Sequence, residues 1–135
     1  MRDGSTRIVK RPAQPRGIDE FLARFTAKVV ALSGAALGAE FLLDCPRLTI
    51  GRGPGVSVAF DNPTMSRQHA AIDYDGAGFR ISDLGSTNGI SVNGTPVQAC
   101  EIRHGDRFEI GGQEFQLVIE EQEAEPDTYE LPESV

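Results

Sequence analysis

No apolar run in this chain approaches the roughly 20 residues that a bilayer-spanning helix needs. The opening residues, MRDGSTRIVKRP, are basic but have no apolar stretch behind them. The expectation is therefore a cytoplasmic protein with no signal peptide and no membrane partner. Cysteine occurs only at Cys45 and Cys100, far apart and in no C-x-x-C pair. Two reduced, partly buried thiols are expected, although sequence alone leaves a disulfide between them open. Neither cysteine stands at metal-ligand spacing from the other, from His69 or from His104, so no metal and no cofactor is expected. From Glu120 onward there is no Lys or Arg at all, and the whole chain carries a net charge of −7. An acidic chain is a poor match for nucleic acid, because neutralising phosphates takes a basic face. Catalytic signatures are missing too. Ser66, His69 and Asp83 are the residue types of a hydrolase triad, but no G-x-S-x-G elbow surrounds Ser66. GRGPG, residues 51–55, lacks the lysine and following helix of a nucleotide loop and is not G-x-G-x-x-G. The chain reads as a binding protein, not an enzyme.

What the chain does have is turns. Fifteen Gly and eight Pro are spread over 135 residues, a length that suits one domain with tails. AKVVALSG, AEFLLD, RLTIGR, VSVAF, HAAIDYD, GFRISDL and GISVNG follow one another as short β-rich runs. In GFRISDL, Phe79 and Ile81 fall on one side, Arg80 and Ser82 on the other. Asn93-Gly94 is a hairpin signal. DRFEIGGQEFQLVIEE predicts two strands joined at Gly111-Gly112. Short strands at intervals of roughly ten residues, with no helix between them, predict an all-β fold of the β-sandwich type.

The ends differ from this middle. Residues 1–26 form a basic segment, charged and proline-containing, expected to be largely flexible. Within it, GIDEFLARFT predicts a short amphipathic helix over 18–25, with Ile18, Phe21, Leu22 and Phe25 on one face. That face either packs on the domain edge or binds a partner. Residues 27–119 form the domain, and 120–135 an acidic tail expected to be solvated and mobile.

Three loops are unusually polar: IGRGPG (50–55), NPTMSRQH (62–69) and DLGSTNGI (83–90). In a sandwich such loops gather at the strand ends, where a rigid frame holds them. Arg52 and Arg67 offer planar guanidinium donors suited to phosphate oxygens. Ser66 and Thr87 add hydroxyls, and loop N–H groups add an anion-binding nest. Asn88 can donate and accept, which suits a peptide backbone beside a phosphate. Gly51, Gly53 and Gly55 are expected to let the first loop bend and to keep bulk away from a ligand. Met65 is expected to offer an adaptable apolar contact, and with it an aliphatic ligand preference.

Gly51-Arg52, SRQH at 66–69 and DLGSTNG at 83–89, in that order and spacing, resemble the signature of the forkhead-associated (FHA) domain. VNG at 92–94 and HGDRFEIGG at 104–112 resemble that family's later strands, and the likeness runs over about residues 28–119. It implies an eleven-stranded sandwich of two sheets that binds phosphothreonine in partner proteins and has no catalytic activity. Carried over by position, Arg52 and Ser66 are the principal phosphate contacts, with Arg67 a further polar contact and Thr87 near the phosphate. Asn88 bonds the ligand main chain. Gly51 and Gly89 are structural, and His69 braces the loops. Some bacterial members are phosphorylated on a tail threonine by a Ser/Thr kinase, and the modified tail then occupies its own or a neighbour's site. Thr6 and Thr128 are the candidate positions here. The resulting expectation is a phosphothreonine-dependent adaptor working beside a Ser/Thr kinase. The rival is a phosphate-independent assembly scaffold that contacts its partner through the 18–25 segment. The sequence does not define an oligomeric state.

Overall fold

The computed structural model describes residues 17–122. A short helix, α1 (Ile18–Leu22), leads into eleven strands. These are β1 (Phe25–Ala31), β2 (Glu40–Leu42), β3 (Arg47–Gly51), β4 (Val58–Ala59), β5 (Ala70–Tyr74), β6 (Phe79–Asp83), β7 (Ile90–Val92), β8 (Thr95–Val97), β9 (Ala99–Ile102), β10 (Arg107–Ile110) and β11 (Gln113–Glu121). One sheet has the order β9-β6-β5-β3-β4, the other β2-β1-β11-β10-β7-β8. All pairs are antiparallel except β3 with β4.

Alternation along the strands builds the core. Ala27, Val29 and Ala31 of β1, Phe79 and Ile81 of β6, Phe108 and Ile110 of β10, and Phe115 and Leu117 of β11 all point between the sheets and are buried. Each of the larger of these side chains, from Val29 up to Phe115 in size, contributes about 1.5–3 kcal/mol by leaving water. Asn93 (φ 50) and Gly94 (φ 86) both take the left-handed conformation that a two-residue hairpin between β7 and β8 requires.

The helix is shorter than the 18–25 periodicity predicts. It stops at Leu22, and Phe25 opens β1 opposite Glu121. Ladder pairing over seven residues outweighs one further helical turn, since a lone turn is costly to nucleate. The helix's apolar face is already occupied. Ile18 is buried in the core, and the Phe21 ring lies 5.3 Å from each of Phe25, Tyr74 and Phe79. Ile18 thus packs into the same core as the strands, although it lies in the segment expected to be largely flexible. The basic and acidic segments, with Thr6 and Thr128, lie outside the described residues. Cys45 and Cys100 are unpaired and half-buried. Burial pushes the Cys100 thiol pKa above its ordinary value, which keeps it protonated.

Register decides where the loops meet. Ile50 of β3 faces Ala70 of β5, and Ala70 faces Asp83 of β6. The loops that leave β3, enter β5 and leave β6 thus start from one row at one end of the sheet. The β10–β11 turn of the other sheet closes over them, with Gly111 against Met65.

Candidate functional site: a loop-end cradle

The chain passes through residues 64–66 at the centre of this end, and the other loops are tied to it. The Arg52 amide donates to Ser66 O (2.9 Å), and its guanidinium Nε donates to Met65 O (3.0 Å). That bond fixes the guanidinium and leaves its two Nη nitrogens facing solvent. Gly53 N–H donates to Arg67 O (3.1 Å). The Thr87 amide donates to Ser66 Oγ (3.1 Å). Because Ser66 Oγ accepts there, its own proton is free for a ligand oxygen. The Asn88 carboxamide donates to Thr64 O (2.7 Å), leaving its oxygen and second N–H for a peptide main chain. Arg52, Arg67, Thr87 and Asn88 are exposed, and Ser66 is half-buried. Neither Arg52 nor Arg67 has a carboxylate in ion-pair range among the described residues. The arrangement is a donor surface whose two arginines have no ion-pair partner among the described residues, which suits a dianion.

His69 fixes the surface from beneath and is wholly buried. Its Nδ1 accepts the Ser66 amide N–H (3.0 Å), so the ring proton sits on Nε2 and is donated to Gly89 O (2.8 Å). Its backbone N–H donates to Ile50 O and its carbonyl accepts from Leu84 N, both at 2.9 Å. One residue thereby links all three polar loops. At the mouth of β5, Ser66 is half-buried and Arg67 exposed, while His69 beneath them holds the frame.

The glycines act differently from the expectation. A Cβ on Gly51 would stand 2.1 Å from Arg67 O, and one on Gly53 2.9 Å from Arg67 Cβ. These two make room for the neighbouring loop and not for a ligand. Gly55 (φ 85) and Gly89 (φ 76) have open space and serve as turns.

Met65 corrects the sequence reading. It is 1% exposed and belongs to the core, because the close approach of Gly111 leaves its side chain no outward path. The aliphatic preference assigned to it has no basis in the structure.

Several residues that build the site were not singled out from sequence. Asn62 Oδ1 accepts from Thr64 N (3.0 Å) while its Nδ2 donates to Gly111 O (3.1 Å), pinning this loop to the other sheet. Asp83 Oδ2 accepts from the amides of Gly85 and Ser86 (3.1 Å each). The Ser86 hydroxyl donates to Asp83 and accepts from Gly89 N (2.8 Å). The D-x-x-S spacing of a side-chain-capped turn was the available signal.

Fold and site together define a binding module that keeps its chemistry on the loops of a two-sheet sandwich. A family model described as the FHA domain matches residues 48–111, and the chain belongs to that family. It is 38% identical over 100 residues to the glycogen accumulation regulator GarA of Mycolicibacterium smegmatis, covering 74% of this chain and 62% of that protein. It is 39% identical to the oxoglutarate dehydrogenase inhibitor of Corynebacterium glutamicum, covering 74% of this chain and 68% of that one. The match thus leaves a substantial part of each relative without a counterpart. Among solved structures, one from a study of phosphothreonine-dependent FHA domain interactions superposes with a TM-score of 0.63 at 30% identity, covering 69% of this chain and 95% of the other. Mycobacterium tuberculosis EmbR, in complex with a low-affinity phosphopeptide, superposes with a TM-score of 0.65 at 29% identity, covering 70% and 24%.

Proposed function

We propose that this chain is a reversible phosphothreonine-binding module that acts downstream of a Ser/Thr kinase. One observation carries the reading: the Arg52 guanidinium, held through Nε at Met65 O, and the Ser66 hydroxyl, which accepts from Thr87 N, are fixed on the same short stretch of chain, and Arg52 has no ion-pair partner among the described residues. A phosphothreonine brings about two negative charges. Arg52 Nη groups take phosphate oxygens, the Ser66 hydroxyl and the Thr87 region donate to others, and Arg67 adds charge. Asn88 holds the peptide main chain. Charge-assisted hydrogen bonds contribute about 1.5–3 kcal/mol each, so a few of them give a dissociation constant near 1 μM, about −8 kcal/mol. His69 sets the loops before the ligand arrives, which lowers the ordering cost of binding.

Ser66 and His69 are not paired as nucleophile and base, because the imidazole spends both nitrogens on backbone groups. The module works by binding. Relatives named for glycogen accumulation and for inhibition of oxoglutarate dehydrogenase favour a metabolic enzyme as the partner under control. Among the described residues no helix is long and apolar enough to cross a membrane. Phosphorylation at Thr6 or Thr128 would supply a tethered ligand at roughly millimolar effective concentration, enough to block a micromolar site. The scaffold alternative loses support from α1, whose apolar face is taken up within the domain.

Titration with a phosphothreonine peptide library and its unphosphorylated counterparts tests the reading. Wild type should bind only the phosphorylated set, and Arg52→Ala should weaken binding by at least about 30-fold while unfolding at nearly the same temperature. Equal binding of both sets would overturn it.

A further inference from the structure

Beside the cradle runs a groove of about 480 Å³. Thr64 and Asn88, which belong to the cradle, form its near wall, and Ser91, Pro96 and Glu109 line its far part. Gly94, Gly111 and Gly112 leave the floor without side chains. Register explains the far part. Pro96 faces Ser91 and Ser91 faces Glu109, so the three stand in one outward row across β8, β7 and β10. The row continues to Glu114 of β11, directly opposite Glu109. Like charges facing each other across a ladder are destabilising. Arg107, two residues along β10, is the nearest cation on that face by register, and Glu109 has no ion pair among the described residues. The single charged side chain in the groove is therefore a carboxylate with no ion pair among the described residues, with Glu114 and Arg107 as its charged neighbours in the adjoining hollow.

We infer that Glu109 selects a lysine or arginine two to four residues from the phosphothreonine of a bound peptide. The inference rests on the phosphopeptide reading above and adds to it the chemistry of the flanking residue. A peptide held at Asn88 by its main chain leaves the cradle beside this groove. From Asn88 to Ser91 is three residues of chain, about 10 Å, and Glu109 stands about 5 Å further across the ladder. An extended peptide advances about 3.3 Å per residue, and a lysine side chain makes up the remainder. An acidic side chain at the same place meets Glu109 and Glu114 and is disfavoured. Met65, buried as it is, has no part in this selection.

The test is a phosphothreonine peptide with alanine flanks, into which Lys, Ala or Glu is placed one position at a time, four residues to either side. Wild type should bind the best Lys peptide about twofold to fivefold more tightly than the Ala peptide, the range of an exposed ion pair. The Glu peptide should be weaker than both. The Lys advantage should vanish in 0.5 M salt. Glu109→Gln should remove the advantage and leave the Ala peptide unchanged, and Glu109→Lys should reverse the order of Lys and Glu. Glu109 is exposed, so both variants should fold. No Lys advantage at any position in wild type, or one that survives Glu109→Gln, overturns this inference. If phosphate and Arg52 are still required in that case, the phosphopeptide reading stands. If they are not, it is that reading which has failed.

Discussion

Strand β6 carries an Asp-led turn at each of its ends, and the two turns are built alike and used differently. Asp75 Oδ1 accepts the amides of Ala77 and Gly78, at 2.9 Å each. Asp83 Oδ2 accepts those of Gly85 and Ser86, at 3.1 Å each. The Asp75 turn then closes on itself, with its own N–H donating to Gly78 O (3.0 Å), beside the Phe21, Tyr74 and Phe79 rings. The Asp83 loop sends its bonds outward: Thr87 N to Ser66, Asn88 to Thr64, and Gly89 O to His69. A turn that satisfies itself locally only reverses the chain. A loop bonded at three points to a second loop keeps a fixed shape with donors left over, and leftover donors on a rigid frame make a binding site.

The largest effect that separates the two ends is expected at glycine. Gly51→Ala places a methyl 2.1 Å from Arg67 O, so backbone has to move at the junction of two site loops. The bonds of Arg52 and Gly53 to residues 66 and 67 would break, at a cost on the order of 3 kcal/mol or more. Phosphopeptide binding should fall with them. Gly76→Ala, at φ 94 in the Asp75 turn, carries the left-handed penalty of about 1–2 kcal/mol and should bind normally. Urea unfolding and peptide titration on the two variants decide it. Normal binding by Gly51→Ala would break the comparison.

The next effect concerns the segments that leave the described body. Gln122 is bonded to the backbone of Leu22, Arg24 and Phe25, and Gly17 precedes α1, so both segments depart from the Asp75 end. The cradle lies a strand's length away. Thr6, eleven residues before Gly17, has a reach of up to about 36 Å, whereas Thr128, six residues beyond Gln122, has only about 20 Å. Charge points the same way. Arg2, Arg7 and Lys10, against Asp3 alone, lie within four residues of Thr6, while Glu125, Asp127 and Glu130 flank Thr128. A phospho-Thr6 peptide (residues 1–12) should bind about twofold to fivefold more tightly than a phospho-Thr128 peptide (122–133), the range of an exposed charge contact. Glu109→Gln should narrow the gap. Equal affinities for wild type would remove Glu109 from the choice between the segments.

The two ends also differ in what their letters disclosed. Asn93-Gly94, the Phe79 and Ile81 alternation and the polar loops were legible because each rests on a local rule: a left-handed turn, a period of two, donors beside strand ends. Hydrogen bonds tie Arg52, Thr87 and Asn88 to residues 64–66, beside Ser66. What the letters did not disclose depends on contacts distant in sequence. Met65 is buried because Gly111, from the other sheet, closes over it. Gly51 is required by Arg67 and not by a ligand. The helix stops at Leu22 because Phe25 pairs with Glu121. Glu109 joins the groove only through the register that places it opposite Ser91.

The smallest effect belongs to the self-contained turn. The two amide hydrogen bonds from Ala77 and Gly78 hold the Asp75 carboxyl below its ordinary pKa of 3.8. A carboxylate whose folded pKa is depressed contributes stability that is complete above the unfolded value and is lost as pH falls through the folded one. Asp75→Ala should therefore cost stability at pH 7, by less than about 1 kcal/mol because the turn is bathed in water. The difference from wild type should stay constant down to about pH 4.5, then shrink as pH drops below the ordinary aspartate value. Phosphopeptide affinity should be unchanged at pH 7, since none of the bonds at this turn crosses to the cradle. Thermal unfolding of both proteins between pH 7 and pH 2.5, with a titration at pH 7, measures both quantities. Were affinity to fall along with stability, the two ends of β6 would be mechanically coupled, and the separation between a turn that only reverses the chain and a loop that binds would not hold.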